Sequence, residues 1–280
     1  MTTSPYLETL GVLLLAVLGV LLGRRAARAR PLVWALAYLI PLSLLIMIAV
    51  ARWSPGLEFT APFCWIMAER REFALLALIA TLMLTPLLPK LRHRGERVLV
   101  AILMAVVITV YSALPFLMPA FNRSHFLHLD TRLAPGEVCM QSTDYDCGPA
   151  AAVTALRRLG LPAEEGVLAI LAHTTGIAGT PADSLCAAID RRFHDDGVRC
   201  TFRRFKSVAE LRGQEPVIVV IKFGFLVDHY ITVLEVTDTT VVVGDPLSGL
   251  QTLTPNQLAD EWRECGIVVR REHRQERITR

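Results

Sequence analysis

The sequence predicts a chain of two parts: an α-helical membrane domain, followed by an α+β domain in which helices pack on an antiparallel sheet. Of the 280 residues, 53% are hydrophobic and only 20% are charged, and the mean hydropathy is +0.44, which is more apolar than a typical soluble domain. Residues 1–121 hold 11 Lys and Arg against 5 Asp and Glu, whereas residues 122–280 hold 18 against 21. The composition excludes a disordered or fibrous chain, and the charge leaves no basic domain for binding nucleic acid.

Four apolar stretches predict about four transmembrane helices in residues 1–121. They cover residues 9–22, 32–51, 73–88 and 98–118. The second and fourth reach the length of about 20 residues that crosses a hydrocarbon core, and the other two are shorter. No Lys or Arg precedes Gly23 and several Arg follow it, so the first stretch is interpreted as an anchor rather than a cleaved signal peptide.

The positions of the basic residues predict the orientation in the bilayer, because Lys and Arg accumulate on the cytoplasmic side. Two loops carry most of them, the first and the third. These residues are Arg24, Arg25, Arg28 and Arg30, then Lys90, Arg92, Arg94 and Arg97. With both loops inside and an even number of spans, the second domain is expected on the extracytoplasmic face of a plasma membrane (the inner membrane in a bacterium).

The second part of the chain is expected to be a linker over residues 122–136, a compact domain over 137–269 and an Arg-rich tail over 270–280. Periodicity and helix start signals predict helices at 147–159, 164–172 and 181–193, the last with Thr180 as its cap, and a short helix at 255–263. Strands are expected at 199–205, 217–223, 229–236, 240–244 and 266–269. Helices that precede an antiparallel sheet are typical of an α+β domain.

One cysteine lies where a polar loop becomes an apolar helix. Cys147 follows the letters QSTDYD and precedes GPAAA. The unpaired N–H groups and the dipole at the start of a helix favour a thiolate, which is the nucleophilic form. Gly148 is expected to leave room for a substrate backbone beside the sulfur. A cysteine in this position is more often structural, so its partners decide the interpretation.

Three other residues supply what a nucleophilic thiol needs. His229 opens a predicted strand and is a candidate for proton transfer. Asp245 ends the next strand, and a turn near Asp238 would bring its carboxylate level with the imidazole and fix the tautomer. Gln141 can donate to a developing oxyanion together with the N–H of Cys147. Each residue alone is usually structural, whereas the four together predict a cysteine nucleophile, and no metal or organic cofactor is implied.

The stretches QSTDYDCGPAAAVTALRRLGL, HYITVLEV and GDPLSG resemble the bacteriocin-processing cysteine peptidases over about residues 137–265. The resemblance implies a papain-like fold, cleavage of double-glycine leader peptides, and Cys147 as nucleophile with His229 as base. It further implies Asp245 as the orienting acid and Gln141 in the oxyanion hole. Those peptidases are often fused to ABC transporters and act in the cytoplasm. This sequence contains no Gly-rich phosphate loop, and its charge pattern predicts the opposite side of the membrane.

The sequence therefore predicts a membrane-anchored thiol protease, a cysteine peptidase that hydrolyses peptide bonds and matures an exported or membrane-bound peptide or protein. The expected partners are a peptide substrate with a glycine-rich cleavage site, membrane lipid and export machinery, and no nucleic acid. Three alternatives stay open. They are a catalytically silent domain that binds a leader peptide, a related acyl-transfer or amidase enzyme, and a membrane assembly protein with a residual triad.

Four further cysteines of the second domain, Cys139, Cys186, Cys200 and Cys265, have spacings that fit no compact zinc motif. In an oxidising compartment they could form two disulfides. Alternatively, they are small buried hydrophobic residues. The sequence leaves both interpretations open.

Overall fold

The computed structural model describes residues 4–54, 57, 63, 71–224 and 227–272. The chain divides into two compact units, Met1–Phe121 and Asn122–Arg280. The first unit is built of helices in the part described. These are α1 (Pro5–Ala27), α2 (Pro31–Trp53), α3 (Arg71–Leu84), α4 (Arg94–Val106) and α5 (Leu114–Leu127). A 3-10 turn, Thr85–Lys90, follows α3, and a π-helical turn, Val107–Ala113, joins α4 to α5.

Among the described residues, four helical stretches are long and apolar enough to cross a membrane. They are Pro5–Ala27, Trp34–Ala51, Arg71–Lys90 and Arg94–Leu127, and each overlaps one of the four apolar stretches predicted from the sequence. Their large side chains are widely exposed, as on Leu14 at 60% and Leu99 at 67%, which suits contact with lipid rather than with water.

Two close contacts place the first and third loops at one end of the helical unit. A Cβ on Gly23, near the end of α1, would lie 2.8 Å from Cβ of Thr85, which follows α3. The Nζ of Lys90 lies 3.5 Å from the centroid of the Trp34 ring, near the start of α2. Because these residues flank the two basic loops, the positive charges of both loops collect at the same end.

A six-stranded antiparallel sheet forms the body of the second unit. Its strands are β3 (Val198–Arg204), β4 (Val217–Gly224), β5 (Val227–Val236), β6 (Val241–Asp245), β7 (Gly249–Leu253) and β8 (Trp262–Arg271). They are arranged in the order β3-β8-β4-β5-β6-β7, so β3 and β7 are the edges. A separate pair precedes the sheet and consists of β1 (Arg132–Ala134) and β2 (Val138–Met140).

Four helices accompany this sheet: α6 (Cys147–Arg158), α7 (Glu165–Leu171), α8 (Ala182–Phe193) and α9 (Pro255–Glu261). Helix α6 is central, and its residues from Gly148 to Leu156 are all buried. Small side chains let its backbone approach the sheet, and the hydroxyl of Thr232 on β5 donates to the carbonyl of Ala151 at 2.7 Å. This contact is one of those that hold the N-terminus of α6 beside β5 and β6.

The architecture is the predicted one, helices followed by an antiparallel sheet, but several elements differ in extent. The segment expected as a linker contains the end of α5 and all of β1. Strand β7 was not expected. Strand β8 continues to Arg271, so the first residues of the expected tail belong to the sheet, and residues 273–280 lie outside the described residues.

The start of α8 also differs from the prediction. Pro181, not Thr180, occupies the cap position, with φ −63° and ψ 138°. The Thr180 hydroxyl is instead paired with that of Thr174 at 2.9 Å. Proline at this position leaves no N–H to satisfy, and Thr180 is free of the helix to pack against the start of α6.

Candidate active site

Cys147 is the first residue of α6, in the second unit. The residue is half-buried, whereas Asp146 before it and Gly148 after it are buried. A backbone turn closes the start of the helix, because the N–H of Ala150 donates to the carbonyl of Asp146 at 3.1 Å. Cys147 is therefore partly accessible to solvent while the backbone around it is held rigidly.

His229 and Asp245 come together on neighbouring strands. In the register of β5 and β6, Thr232 is opposite Gly244, which carries Asp245 toward the beginning of β5. The Nε2 atom of His229 lies 2.8 Å from Oδ1 of Asp245. The histidine is 4% exposed, and the side chain of Cys147 is, with that of Asp245, one of the two groups that raise its pKa. Since Asp245 occupies Nε2, Nδ1 is the ring nitrogen left for the thiol.

The surroundings of His229 favour its protonated form. Burial by itself lowers the pKa of His229, but hydrogen bonds to Asp245 and Cys147 and the charges of both groups outweigh it and raise the pKa from 6.5 to about 9. Burial acts to raise the pKa of Asp245, but hydrogen bonds from His229, Ser248 and the Leu247 N–H prevail and lower it. At neutral pH the two side chains therefore form an imidazolium–carboxylate pair.

A short turn after β6 fixes the carboxylate of Asp245. The N–H of Leu247 donates to Oδ1 at 2.8 Å, and the hydroxyl of Ser248 donates to Oδ2. The Nε2 of Gln251 in turn donates to that hydroxyl at 2.6 Å. With these donors and His229 around it, the carboxylate has one orientation available.

Gln141 is attached to the same turn through its backbone. Its N–H donates to the carbonyl of Pro246 at 2.9 Å, and its side-chain Nε2 donates to the carbonyl of Thr143 at 2.7 Å. Its Oε1 is buried with no hydrogen-bond partner among the described residues. Because an amide nitrogen carries two hydrogens, one N–H of Gln141 remains for another acceptor.

Gly148 serves packing in a way that the sequence did not indicate. A Cβ on this residue would lie 2.9 Å from Cβ of Thr180, so the missing side chain is replaced by Thr180 rather than by open space for a substrate. The carbonyl of Thr180 accepts a hydrogen bond from the hydroxyl of Tyr230 at 3.1 Å. The loop before α8 is thereby fixed against both α6 and β5.

Two buried carboxyl groups, absent from the sequence prediction, hold the loop between Gln141 and Cys147. Asp146 and Glu165 are both 0% exposed and are hydrogen-bonded to each other. Glu165 accepts the N–H of Ser142 at 2.9 Å and its hydroxyl at 2.7 Å, and Asp146 accepts the N–H of Thr143 at 3.0 Å. Burial and the charge of Asp146 raise the pKa of Glu165 to about 7, so one proton is shared by the pair.

We expect Glu165→Ala to destabilise this loop by about 2–3 kcal/mol, because it leaves two partly buried donors of Ser142 without acceptors. Glu165→Gln should be far milder, since an amide can accept one of these bonds and donate to Asp146. In wild type the folded chain binds a proton that the unfolded chain has lost, so the stability contribution of Glu165 declines between pH 4.5 and about 7. Thermal unfolding of both variants across this range measures the effect.

The glutamine variant is the control for charge. It lacks the titrating proton, so its unfolding midpoint should lose this part of the pH dependence while the midpoint of wild type falls as pH rises. An unchanged pH dependence in Glu165→Gln would contradict the shared proton.

Within the residues that the structure describes, no cluster of three or more His, Cys, Asp or Glu is arranged to hold a metal.

The sequence profile of the peptidase C39 family matches residues 136–274. An uncharacterized protein of Methanothermobacter marburgensis is 34% identical over 112 residues, which cover 40% of this chain and 72% of the relative. A second, from Methanothermobacter thermautotrophicus, is 32% identical over 121 residues, which cover 43% of this chain and 79% of the relative.

Two solved structures are similar to the second unit. The peptidase domain of Streptococcus ComA, a bifunctional ABC transporter of a quorum-sensing pathway, is 21% identical and covers 48% of this chain and 96% of its own, with a TM-score of 0.42. A double-glycine-motif protease from an AMS/PCAT transporter, solved with a leader peptide, is 16% identical and covers 51% and 93%, with a TM-score of 0.40. The family profile matches the unit that carries Cys147, and two relatives are more than 30% identical over more than two thirds of their own length. This chain therefore belongs to the peptidase C39 family.

Proposed function

We propose that this protein is a membrane-anchored cysteine endopeptidase with Cys147 as nucleophile, His229 as its proton-transfer partner and Asp245 as the residue that orients the imidazole. Membership of the peptidase C39 family supports a cysteine peptidase. The observation that carries the assignment of roles is the succession of neighbouring groups from Cys147 to His229 to Asp245, in which the imidazole is buried and Cys147 and Asp245 are both partly exposed.

The geometry supports a two-step acyl transfer. The Cys147 thiolate, paired with protonated His229, attacks the carbonyl carbon of a peptide bond and forms a tetrahedral intermediate. As the C–N bond breaks, the imidazolium gives its proton to the leaving amine and an acyl-thioester remains. Neutral His229 then removes a proton from water, whose oxygen displaces the thiolate and releases the acid.

Two N–H groups are placed to stabilise the oxyanion of that intermediate. One is the backbone N–H of Cys147, at the positive end of α6, where helix N–H groups have no intrahelical acceptor. The other is the second side-chain N–H of Gln141, since the first is already donated to Thr143. The attachment of Gln141 to Pro246 keeps this amide at a constant position relative to the turn that holds Asp245.

We infer that the substrate is an exported or membrane-bound peptide with an apolar segment beside a glycine-rich cleavage site. Three large apolar side chains close in sequence to His229 and Asp245 are exposed: Phe223 at 63%, Val227 at 52% and Leu247 at 45%. The Phe223 ring centroid lies 5.4 Å from that of His229. Exposed apolar groups that surround a polar site are typical of peptide-binding clefts.

We further propose that the peptidase unit lies on the extracytoplasmic side. One support is that both basic loops lie at one end of the helical unit, as the contacts of Gly23 and Lys90 indicate. The other is that, among the described residues, four candidate spans precede Cys147, the last of them ending at Leu127. An alkaline phosphatase reporter joined after Arg280 should be active, because that enzyme matures only outside the cytoplasm. A reporter active only when joined near Arg28 would reverse the orientation.

Product analysis tests the peptidase itself and separates it from its alternatives. The full-length protein in detergent is incubated with peptides that carry a glycine pair after an apolar segment, and the products are identified by mass spectrometry. Two fragments that together have gained one water indicate hydrolysis, whereas a fragment joined to an added amine indicates acyl transfer. Bound but uncleaved peptide, with a reactive Cys147, would overturn the proposal in favour of a binding domain.

A further inference from the structure

Two cysteines meet inside the second unit, on elements that do not carry the catalytic residues. Cys186 lies on α8 and Cys200 on β3, and their side chains are 8% and 9% exposed. Burial, followed by the neighbouring thiol of Cys186, raises the pKa of the Cys200 thiol.

An independent backbone contact fixes the two elements at this point. The N–H of Cys200 donates to Oδ1 of Asp190 at 2.6 Å. Asp190 lies one helical turn after Cys186, so both side chains project from the same face of α8. The face of the helix that receives the Cys200 backbone is therefore the face that presents the Cys186 thiol.

The remaining cysteines of the unit have other surroundings. Cys265 lies opposite Arg204 in the β3–β8 register, whereas Cys200 lies opposite Val269, and four residues along a strand separate positions by about 13 Å. The sulfur of Cys139, on β2, contacts the carbonyl of Met140 at 3.9 Å. Cys147 is engaged by His229. Contact thus favours one pairing among the several that the sequence left open.

We propose that Cys186 and Cys200 form a disulfide bond in the native protein, which joins α8 to the edge strand β3. Two S–H bonds break and one S–S bond forms. The two electrons and two protons pass to a disulfide co-reactant, either an oxidised thiol-oxidoreductase or oxidised glutathione, which becomes two thiols. The inference rests on the extracytoplasmic orientation proposed above, because such co-reactants prevail outside the cytoplasm.

The burial of the pair places the reaction before folding is complete. Burial and the contact with Cys186 raise the pKa of the Cys200 thiol, so the thiolate needed for exchange is scarce once α8 has packed on β3. Exchange therefore takes place while both thiols are still accessible. Afterwards the same burial protects the bond from reductants.

The disulfide is detected by peptide mapping of the full-length protein purified from membranes without reductant. The protein is denatured in N-ethylmaleimide and digested with trypsin, which cleaves after Arg191, Arg192 and Arg199 and so separates the two cysteines. We expect one linked pair of peptides that contains Cys186 and Cys200 and that disappears on reduction. Both cysteines carrying maleimide, or either one linked to Cys139 or Cys265, would overturn the proposal.

A stability measurement gives the second readout. Reduction of wild type should lower its unfolding temperature by about 5–10 °C, since a short closed loop is released. The double variant Cys186→Ala, Cys200→Ala should not respond to reductant. Alkylation of Cys147 in the same samples reports on the peptidase site separately, because Cys186 and Cys200 lie on α8 and β3, which carry none of the proposed catalytic residues. If reduction lowered the unfolding temperature of the double variant as much as that of wild type, the stabilisation would not come from a Cys186–Cys200 disulfide.

Discussion

Replacing Cys147 with alanine is expected to reduce peptide cleavage to the background rate, a loss of at least about a thousandfold in kcat/KM. The alanine removes the sulfur on which the acyl-thioester is proposed to form, and the nearby hydroxyl of Ser142 is already donated to Glu165. The helix should be unaffected, since alanine is the best helix former. Rates are measured on the full-length protein with the peptides that give products in wild type.

Cys186→Ala is the matched control for this variant, because it also removes one thiol of the same unit but lies outside the site. It should cleave at nearly the wild-type rate. Retained cleavage in Cys147→Ala, with the same products, would show that another residue is the nucleophile. Equal loss in the two variants would attribute the effect to folding.

Loss of the imidazole is expected to be nearly as damaging: His229→Ala should lower kcat/KM by roughly 10²–10⁴-fold. The side chain both stabilises the thiolate and supplies the proton to the leaving amine. Cys147 should also react more slowly with iodoacetamide at pH 7, since its partner cation is gone. A His229→Ala variant with unchanged alkylation and cleavage rates would remove His229 from the mechanism.

Asp245→Asn isolates the charge of the third residue. An asparagine Oδ1 can still accept from Nε2 of His229 and from the N–H of Leu247, so the geometry is retained while the negative charge is lost. The pKa of His229, about 9 in wild type, should fall. The active pair requires protonated His229, so wild-type kcat/KM should fall as pH rises through about 9, and in Asp245→Asn it should fall at lower pH.

Values of kcat/KM measured across pH 6–10 test this shift. Near pH 9, the activity of Asp245→Asn should be about tenfold lower for each pH unit by which its profile is displaced from that of wild type. Ser248→Ala is the milder control, because it removes one hydrogen bond to the carboxylate and leaves the charge in place. A curve for Asp245→Asn that falls at the same pH as wild type would mean that the charge of Asp245 does not support the imidazolium.

Local signals in the sequence were sufficient to place Cys147 at the start of its helix and to bring His229 and Asp245 together. Cys147 is the first residue of its helix because polar residues and a following Gly-Pro-Ala mark the boundary. His229 and Asp245 meet because a hairpin of β-branched residues fixes which positions are level. Both signals act over short distances along the chain, and such patterns are the most readable ones.

Features that depend on tertiary contact were missed. Glu165 lies in the first turn of a predicted helix, where an acidic residue is usually exposed, yet it is buried and its partners Ser142 and Asp146 are far away in sequence. Thr180 has the chemistry of a helix cap, but the close approach of Gly148 and the hydroxyl of Thr174 compete for it. No periodicity or spacing in the chain reports such contacts.

The turn from Asp245 to Ser248 has a consequence for how this protein can vary. Asp245 is held there by Leu247 and Ser248, and the neighbouring Pro246 carbonyl anchors Gln141. Lengthening the loop by a single residue would displace both at once, so we expect insertions there to be selected against. Phe223 and Val227 are exposed and hold neither Asp245 nor Gln141, so divergence in the peptides that are accepted should accumulate at these two positions.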